Sequence, residues 1–317
     1  MLATVLVGAG ACDSGGGGGD GDRVAKSTEA SSSASPPALS PPARLPAPPP
    51  PASGAAASAS TSAPLARASA CGTDMVLVAG NYCPEVEHRC LQHSKEYEEE
   101  QERRERAKAK NLPLRESRVS ERCLRYEEPG KCLAPGRTPM RFCLDKLEWP
   151  NRAGEKPAFV VTYTEAERHC SGAGKRLCTE SEFNFACEGE SLWPYSYGFV
   201  RDAERCNIDR PYVTPRRAML PHDECEKLPS CREQLRELDK RAPSGAHPQC
   251  TSPFGALDLN GNVNEWVFLP GKQSLWRSGL KGGWWGPSRS RCRPTVTAHN
   301  EHYAGYEVGF RCCRDLR

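Results

Sequence analysis

No two cysteines of this chain form a Cys-x-x-Cys pair, although 317 residues hold 17 cysteines. That spacing marks most zinc and iron–sulfur sites, so its absence turns the cysteines away from metal and towards disulfides. No stretch is long and apolar enough to span a membrane. Charge of one sign is missing too: 43 basic and 40 acidic residues leave a net +3. That balance gives no reason to expect nucleic acid or an anionic membrane surface as a partner. Residues 13–70 are nearly all Gly, Ser, Ala, Pro and Thr, with the run Gly15–Gly19 and a proline cluster from Pro41 to Pro51. Such a segment has too little apolar surface to offset chain entropy and is expected to be disordered.

Sixteen of the cysteines lie in residues 71–313. That load implies an oxidising compartment and a framework of disulfides. Export also fits the N-terminus, where a short apolar segment leads into Ala9-Gly10-Ala11-Cys12, small residues before a cysteine as in bacterial lipoprotein signals. It lacks a basic n-region, and Ala9 stands where a larger aliphatic residue is usual. The expected organisation is a signal segment over 1–12 with lipidation at Cys12, then a tether over 13–72. A coil of that length reaches on the order of 40 Å. One folded domain over 73–317 follows, with a charged helical insertion over about 92–122.

Met75-Val-Leu-Val-Ala-Gly80 alternates like a first strand. In the insertion, glutamates at 96, 98, 99, 100 and 102 precede Arg103, Arg104, Arg106, Lys108 and Lys110. Glu99/Arg103, Glu100/Arg104 and Glu102/Arg106 are i,i+4 pairs in the order that suits the helix dipole. No apolar stripe accompanies them, so a solvated projecting helix is expected, with a partner-binding arm as the alternative. Two further helices should start at Thr164-Glu-Ala-Glu167 and Thr179-Glu-Ser-Glu182, each a Thr-x-x-Glu capping box. Ala166 and Cys170 then share one face of the first, and Phe183, Ala186 and Cys187 one face of the second. Residues 207–250 read as Pro-rich and irregular, with Cys225 and Cys231 spaced as if closing a small loop.

Four ordered blocks carry a family resemblance: Gly174-Lys-Arg-Leu-Cys-Thr-Glu-Ser-Glu-Phe183, Ser252-Pro-Phe-Gly-Ala-Leu-Asp-Leu-Asn-Gly-Asn-Val-Asn-Glu-Trp266, Lys281-Gly-Gly-Trp-Trp285 and Val308-Gly-Phe-Arg-Cys-Cys313. From about Met75 to the C-terminus the chain resembles the formylglycine-generating enzyme (sulfatase-modifying factor) family. The resemblance implies an α+β, C-type-lectin-like fold with little regular secondary structure and many disulfides. It also implies bridges Cys170–Cys312 and Cys187–Cys292. Each closes a loop of over 100 residues, worth about 4–5 kcal/mol at most in the loop-entropy model. Cys178 and Cys313 fall beside these and suggest a third bridge. The remaining pairings are not legible.

The family's oxidases follow Gly-Gly-Ser with two copper-binding cysteines and then a bridging one. Here Gly282-Gly283-Trp-Trp-Gly-Pro-Ser-Arg-Ser-Arg-Cys292 holds a single cysteine, and Trp284 replaces the serine. Cys292 aligns ungapped with the second catalytic cysteine, which makes it a weak catalytic candidate. Arg293 and the distance to Gly309-Phe-Arg311 favour the bridging position instead. Either way a two-cysteine copper(I) site is not expected. The family's iron-dependent sulfoxide synthases take histidines from an added helical domain, whose place is held here by the low-complexity segment; His299 and His302 read as surface residues. What remains is calcium. The resemblance assigns Asp258, Gly261, Val263 and Glu265 to an all-oxygen Ca²⁺ cage, and Asn207 and Ile208, with Asp223 as acidic partner, to a second. The alternative for the first is a turn in which Asp258 caps backbone N–H groups and Glu265 pairs with an arginine. Trp266, Trp284, Trp285 and Tyr303 are candidates for a residual groove, and of the adjacent Trp284 and Trp285 one should face outward.

The resulting expectation is an exported pseudoenzyme, lipid-anchored in the bacterial cell envelope or secreted. It would act as a calcium-stabilised binding or structural module for a protein or cell-surface ligand, with membrane contact only through the lipid. The alternatives are a divergent cysteine-oxidising enzyme of the formylglycine-generating type, or an accessory subunit of one.

Overall fold

The computed structural model describes residues 70–114, 117, 119–211, 213–215 and 227–316. Cys12, residues 13–69 of the tether, Asp223 and Cys225 therefore lie outside the described residues; Cys71, placed in the tether by the sequence reading, is buried and belongs to the folded domain through its bridge to Cys143. Strand β1 (Met75–Tyr82) pairs antiparallel with β6 (Thr138–Asp145) over its full length. Its buried positions are Met75, Val78 and Tyr82, so strict alternation is not kept. β6 also pairs with β11 (Cys312–Asp315), and β11 with β7 (Arg176–Leu177), giving a four-stranded sheet ordered β1-β6-β11-β7. A second sheet, β10-β8-β9, joins β10 (Val308–Gly309), β8 (Asn264–Phe268) and β9 (Ser278–Lys281). Two small ladders complete the β structure: β2 (Val86–Glu87) with β5 (Lys131–Cys132), and β3 (Cys90–His93) with β4 (Cys123–Tyr126).

Helix α1 (Lys95–Ala109) is the insertion. It has no buried residue, and Ser94 accepts from the Tyr97 N–H as its N-cap. Its ion pairs differ from the expected set. Arg106 and Arg104 do reach Glu102 and Glu100 at i,i+4 (3.2 and 4.0 Å), but Arg103 turns back to Glu100 at 2.7 Å and Glu99 takes Lys95 at 3.5 Å. The β3–β4 ladder and a Cys90–Cys123 disulfide close the base of this excursion.

Helix α2 (Tyr163–Gly172) begins two residues earlier than expected. Its capping box is Thr162 with Glu165, not Thr164 with Glu167, and the Thr164 hydroxyl lies 3.2 Å from that of Thr162. Two overlapping Thr-x-x-Glu frames stand in the sequence. The earlier frame wins because it puts Tyr163, Ala166 and Cys170 together on the buried face. Helix α3 (Glu180–Glu188) has the expected Thr179–Glu182 box, yet from Glu182 onward every one of its residues is buried. Ion pairs satisfy its buried acids: Arg176 grips Glu182 with two bonds (2.8 and 2.7 Å), and Arg293 holds Glu188 (2.6 Å). Residues 207–250 are not wholly irregular, since α4 (Pro229–Leu238) runs through them. Pro229 at its first turn needs no N–H partner, and Cys231, Leu235 and Leu238 recur at helical spacing and are buried.

Seven disulfides bind the described residues. Three are Cys170–Cys312, Cys178–Cys313 and Cys187–Cys292, the pairs that the resemblance and the neighbouring cysteines suggest. The pairs the sequence left open are Cys71–Cys143, Cys83–Cys132, Cys90–Cys123 and Cys206–Cys250. Cys231 is disulfide-bonded as well. Successive side chains of a strand point to opposite faces. Hence Cys312 enters the cluster of Cys170, Leu177, Trp266 and Phe310, while Cys313 enters that of Cys178, Phe183 and Cys187. One dipeptide on β11 therefore staples two separate parts of the core.

Candidate functional site

The glycine–tryptophan segment follows β9. Gly282 and Gly283 both have left-handed backbones, with φ near +80°. A Cβ on Gly282 would lie 2.7 Å from the Leu259 carbonyl oxygen, and one on Gly283 would lie 2.5 Å from Cα of Ser290. Two glycines are thus required to fold the turn 284–291 back on itself. Trp285 is buried against Leu235 and Tyr306, whereas Trp284 is half-buried and lines a cleft of about 150 Å³. Asn264, Ser288, Arg289, Ser290 and Arg291 share that cleft. Of the other groove candidates, Trp266 is core, its indole N–H donating to the Val161 carbonyl at 2.8 Å, and Tyr303 stacks on His299 at 3.7 Å. His299 and His302 join no metal-holding cluster of His, Cys, Asp or Glu among the described residues. Burial lowers the His299 pKa.

Cys292 ends the turn, fully buried and bonded to Cys187. Its N–H donates to the Pro194 carbonyl at 2.9 Å. The next residue, Arg293, spreads over Glu188, the Cys83 and Pro84 carbonyls and the face of Tyr82, which fixes the segment leaving the bridge. Every cysteine among the described residues is disulfide-bonded, so the cleft presents no thiol.

The loop proposed for calcium lies beneath this segment. Asp258 has a left-handed backbone (φ 61°), and its Oδ2 accepts from the Gly245 N–H at 2.8 Å. Glu265 takes two bonds from Arg311, both at 2.6 Å, with both side chains about 1% exposed. Glu148 adds a third buried carboxylate. It accepts from the Asn262 amide at 2.6 Å and from the Val263 N–H at 3.2 Å. Burial raises the pKa of all three acids; for Glu148 the charges of Asp258 and Glu265 raise it further, while Arg311 opposes. Three buried carboxylates around one guanidinium leave negative charge that needs a proton or a cation. The arrangement itself is the turn of the alternative reading: Asp258 caps a backbone N–H and both oxygens of Glu265 are taken by Arg311, and no group of three or more His, Cys, Asp or Glu among the described residues is placed to hold a metal. The donor types at Asp258, Gly261, Val263 and Glu265, two carboxylates and two carbonyls, are those Ca²⁺ takes.

The second calcium set does not fit. The Asn207 side-chain oxygen accepts from Arg210 Nε at 3.0 Å, and its amide donates to Asn262 and to the Lys240 carbonyl. A neutral amide already facing a guanidinium offers no countercharge to a divalent ion. Asn207 instead braces the first loop: its carbonyl accepts from the Asn262 N–H at 2.9 Å, and Gly261 packs so closely on it that a Cβ there would clash at 2.4 Å. Ile208 beside it is fully buried. Sequence reasoning missed Glu148 and Arg311 as parts of this loop, because Glu148 stands 115 residues before Val263 and Arg311 46 residues after Glu265, and only the fold joins them. Arg311 was in sight within the Gly-Phe-Arg block; Glu148 had no local signal. A larger cavity of about 510 Å³ lies elsewhere, along α4 between Phe159, Leu235 and Arg236.

Residues 125–316 match the sulfatase-modifying factor enzyme 1-like domain family, and the chain belongs to it. Over 170 residues it is 28% identical to the inactive C-alpha-formylglycine-generating enzyme 2 of Mus musculus, covering 50% of this chain and 49% of that protein. Over 117 residues it is 27% identical to hercynine oxygenase of Mycolicibacterium smegmatis, covering 37% of this chain and 22% of that one. The chain thus spans about half the length of the first relative and under a quarter of the second. Among solved structures, CarF superposes with a TM-score of 0.45 at 12% identity, over 77% of this chain and 98% of CarF. The fold is the family's α+β fold, low in regular secondary structure and rich in disulfides.

Proposed function

We propose that this protein is an exported member of the family that binds instead of oxidising, its domain serving as a binding or structural module at the cell envelope. The observation that carries the reading is Cys292, the single cysteine of the Gly283–Cys292 turn, which is buried and spent in a disulfide with Cys187. Copper(I) chemistry of the family's oxidases needs a pair of thiolates, and a disulfide sulfur is not one. The relative named as inactive supports the same reading. The cleft beside Trp284 is then the place where a ligand would sit. A second reading, an oxidising enzyme or an accessory subunit of one, draws on the similarity to hercynine oxygenase.

The deciding experiment offers the purified protein a Cys-x-Pro-x-Arg peptide with copper, oxygen and a thiol reductant, and reads the peptide mass. The expected outcome is an unchanged peptide. Conversion of its thiol to an aldehyde would reject the binding reading and make Cys292 catalytic after reduction.

Calcium belongs to the proposal as a stabiliser, held by Asp258, Gly261, Val263 and Glu265. It would neutralise charge that Arg311 alone leaves over. The expected outcome is a melting temperature that rises with millimolar Ca²⁺ and falls with a chelator, and an Asp258→Asn variant that no longer responds. A wild-type melting curve indifferent to both would assign the loop to the Glu265–Arg311 ion pair alone.

A further inference from the structure

We propose that the cleft on the Ser288–Arg291 turn is an oxyanion site, taking a small ligand whose carboxylate, sulfate or phosphate group meets Arg289 and whose apolar body lies against Trp284. This deepens the binding reading and rests on it. The charge balance around the turn is the first support. Arg289 and Arg291 line the cleft, Arg201 reaches the Ser288 carbonyl from below, and Arg122 shares Asp209 with Arg201; the carboxylates paired with these four are Glu96, Glu121 and Asp209, three against four. Arg289 is the surplus guanidinium: it is exposed, lines the cleft and has no partner among the described residues.

The second support lies beneath. Arg201 donates from Nη2 to the Ser288 carbonyl at 2.9 Å and to Asp209 at 3.0 Å, yet its Nη1 is buried without a partner, on a side chain only 2% exposed. Asp209 matches the charge of Arg201, so what the unmet N–H adds beneath the turn is an unused donor. The third support is the donor set. The Ser288 and Ser290 hydroxyls stand 2.9 Å apart on the cleft wall, where one can donate outward while accepting from the other. Guanidinium with hydroxyl is the pairing that recognises oxyanions.

Size and wall composition narrow the ligand. About 150 Å³ equals roughly five water-sized volumes, so the cleft admits a charged group and a short body. Leu280, Pro294 and Val296 with Trp284 supply an apolar side for that body.

The test titrates the full chain with sodium phosphate, sulfate, acetate and benzoate at constant ionic strength, following tryptophan fluorescence and calorimetric heat. The expected result is saturable binding of at least one probe with a Kd on the order of 1 mM, weakened about tenfold in Arg289→Ala and in Ser288→Ala. Lys272→Ala, an exposed cation on a different loop, is expected to bind as the wild type does. Tighter binding of phosphate or sulfate than of acetate identifies a phosphoryl or sulfuryl ligand. Tighter binding of benzoate than of acetate identifies a carboxylate with its body on Trp284. No saturable binding of any probe, or binding that Arg289→Ala leaves unchanged, overturns the proposal. None of these readouts uses peptide oxidation, so failure here and failure of the binding reading are told apart.

Discussion

Lys281 begins the glycine–tryptophan block and is about 1% exposed, an unusual place for an ammonium. Its Nζ donates to the Arg293 carbonyl at 2.7 Å and to the Thr295 hydroxyl at 3.0 Å, and burial brings its pKa down to about 7. Between about pH 7 and the free-lysine value near 10.4, the unfolded chain carries a proton that the folded chain has released. Stability should therefore rise with pH across that window, by about 2–3 kcal/mol from pH 7 to pH 9 if this group acts alone. Urea midpoints at the two pH values measure it, and Lys281→Met should remove the slope. The same slope in both proteins would mean that another group is responsible. None of this was legible beforehand, because a lysine's burial is set by what packs on it. Trp284 and Trp285 were served only in part: their rings do not point apart but meet edge-on at 5.5 Å, both against Tyr306, with Trp285 in the core and the half-buried Trp284 lining the cleft.

The strongest element in the fold is β11, four residues with a staple on each face. Cys170–Cys312 closes 142 residues and Cys178–Cys313 closes 135. Replacing Cys178 and Cys313 together by alanine and serine should destabilise the domain by about 2–5 kcal/mol, the upper end being the loop-entropy value. Denaturant midpoints of the oxidised proteins give the difference. A loss below about 1 kcal/mol would show that the neighbouring Cys170–Cys312 bridge already restrains the unfolded chain. Helices α2 and α3 were readable from their caps because a cap is a local bond between residues three apart. The frame chosen for α2 was not, since two overlapping boxes differ only in which side chains they bury. Helix α4 was passed over because prolines and cysteines around it dominate the composition, although Pro229 at its start and the 231, 235, 238 spacing were there to be read. In α1 the charges were foreseen but their partners were not; exposed side chains choose among several neighbours at little cost.

For the molecule as a whole, the disulfides and the N-terminal small-residue–cysteine run bear on where it works. Seven bridges persist where thiols are not kept reduced. No helix among the described residues is long and apolar enough to cross a membrane. Export with a lipid on Cys12 is our proposal for attachment. Cells expressing the full chain should yield a detergent-phase protein whose N-terminal peptide carries diacylglycerol, and Cys12→Ala should move it to the aqueous phase. A Cys12 peptide without lipid would reject the anchor. Family, the α3 cap and the lack of a cysteine pair after Gly283 were decided along the chain, since each is a short-range pattern of residue types. The identity of most bridges, the burial of Lys281, the union of Glu148, Asp258, Glu265 and Arg311, and the surplus guanidinium at the Trp284 cleft were decided only in three dimensions. Charges and thiols act over a few ångströms of space, whatever their separation in sequence, and the fold sets those distances.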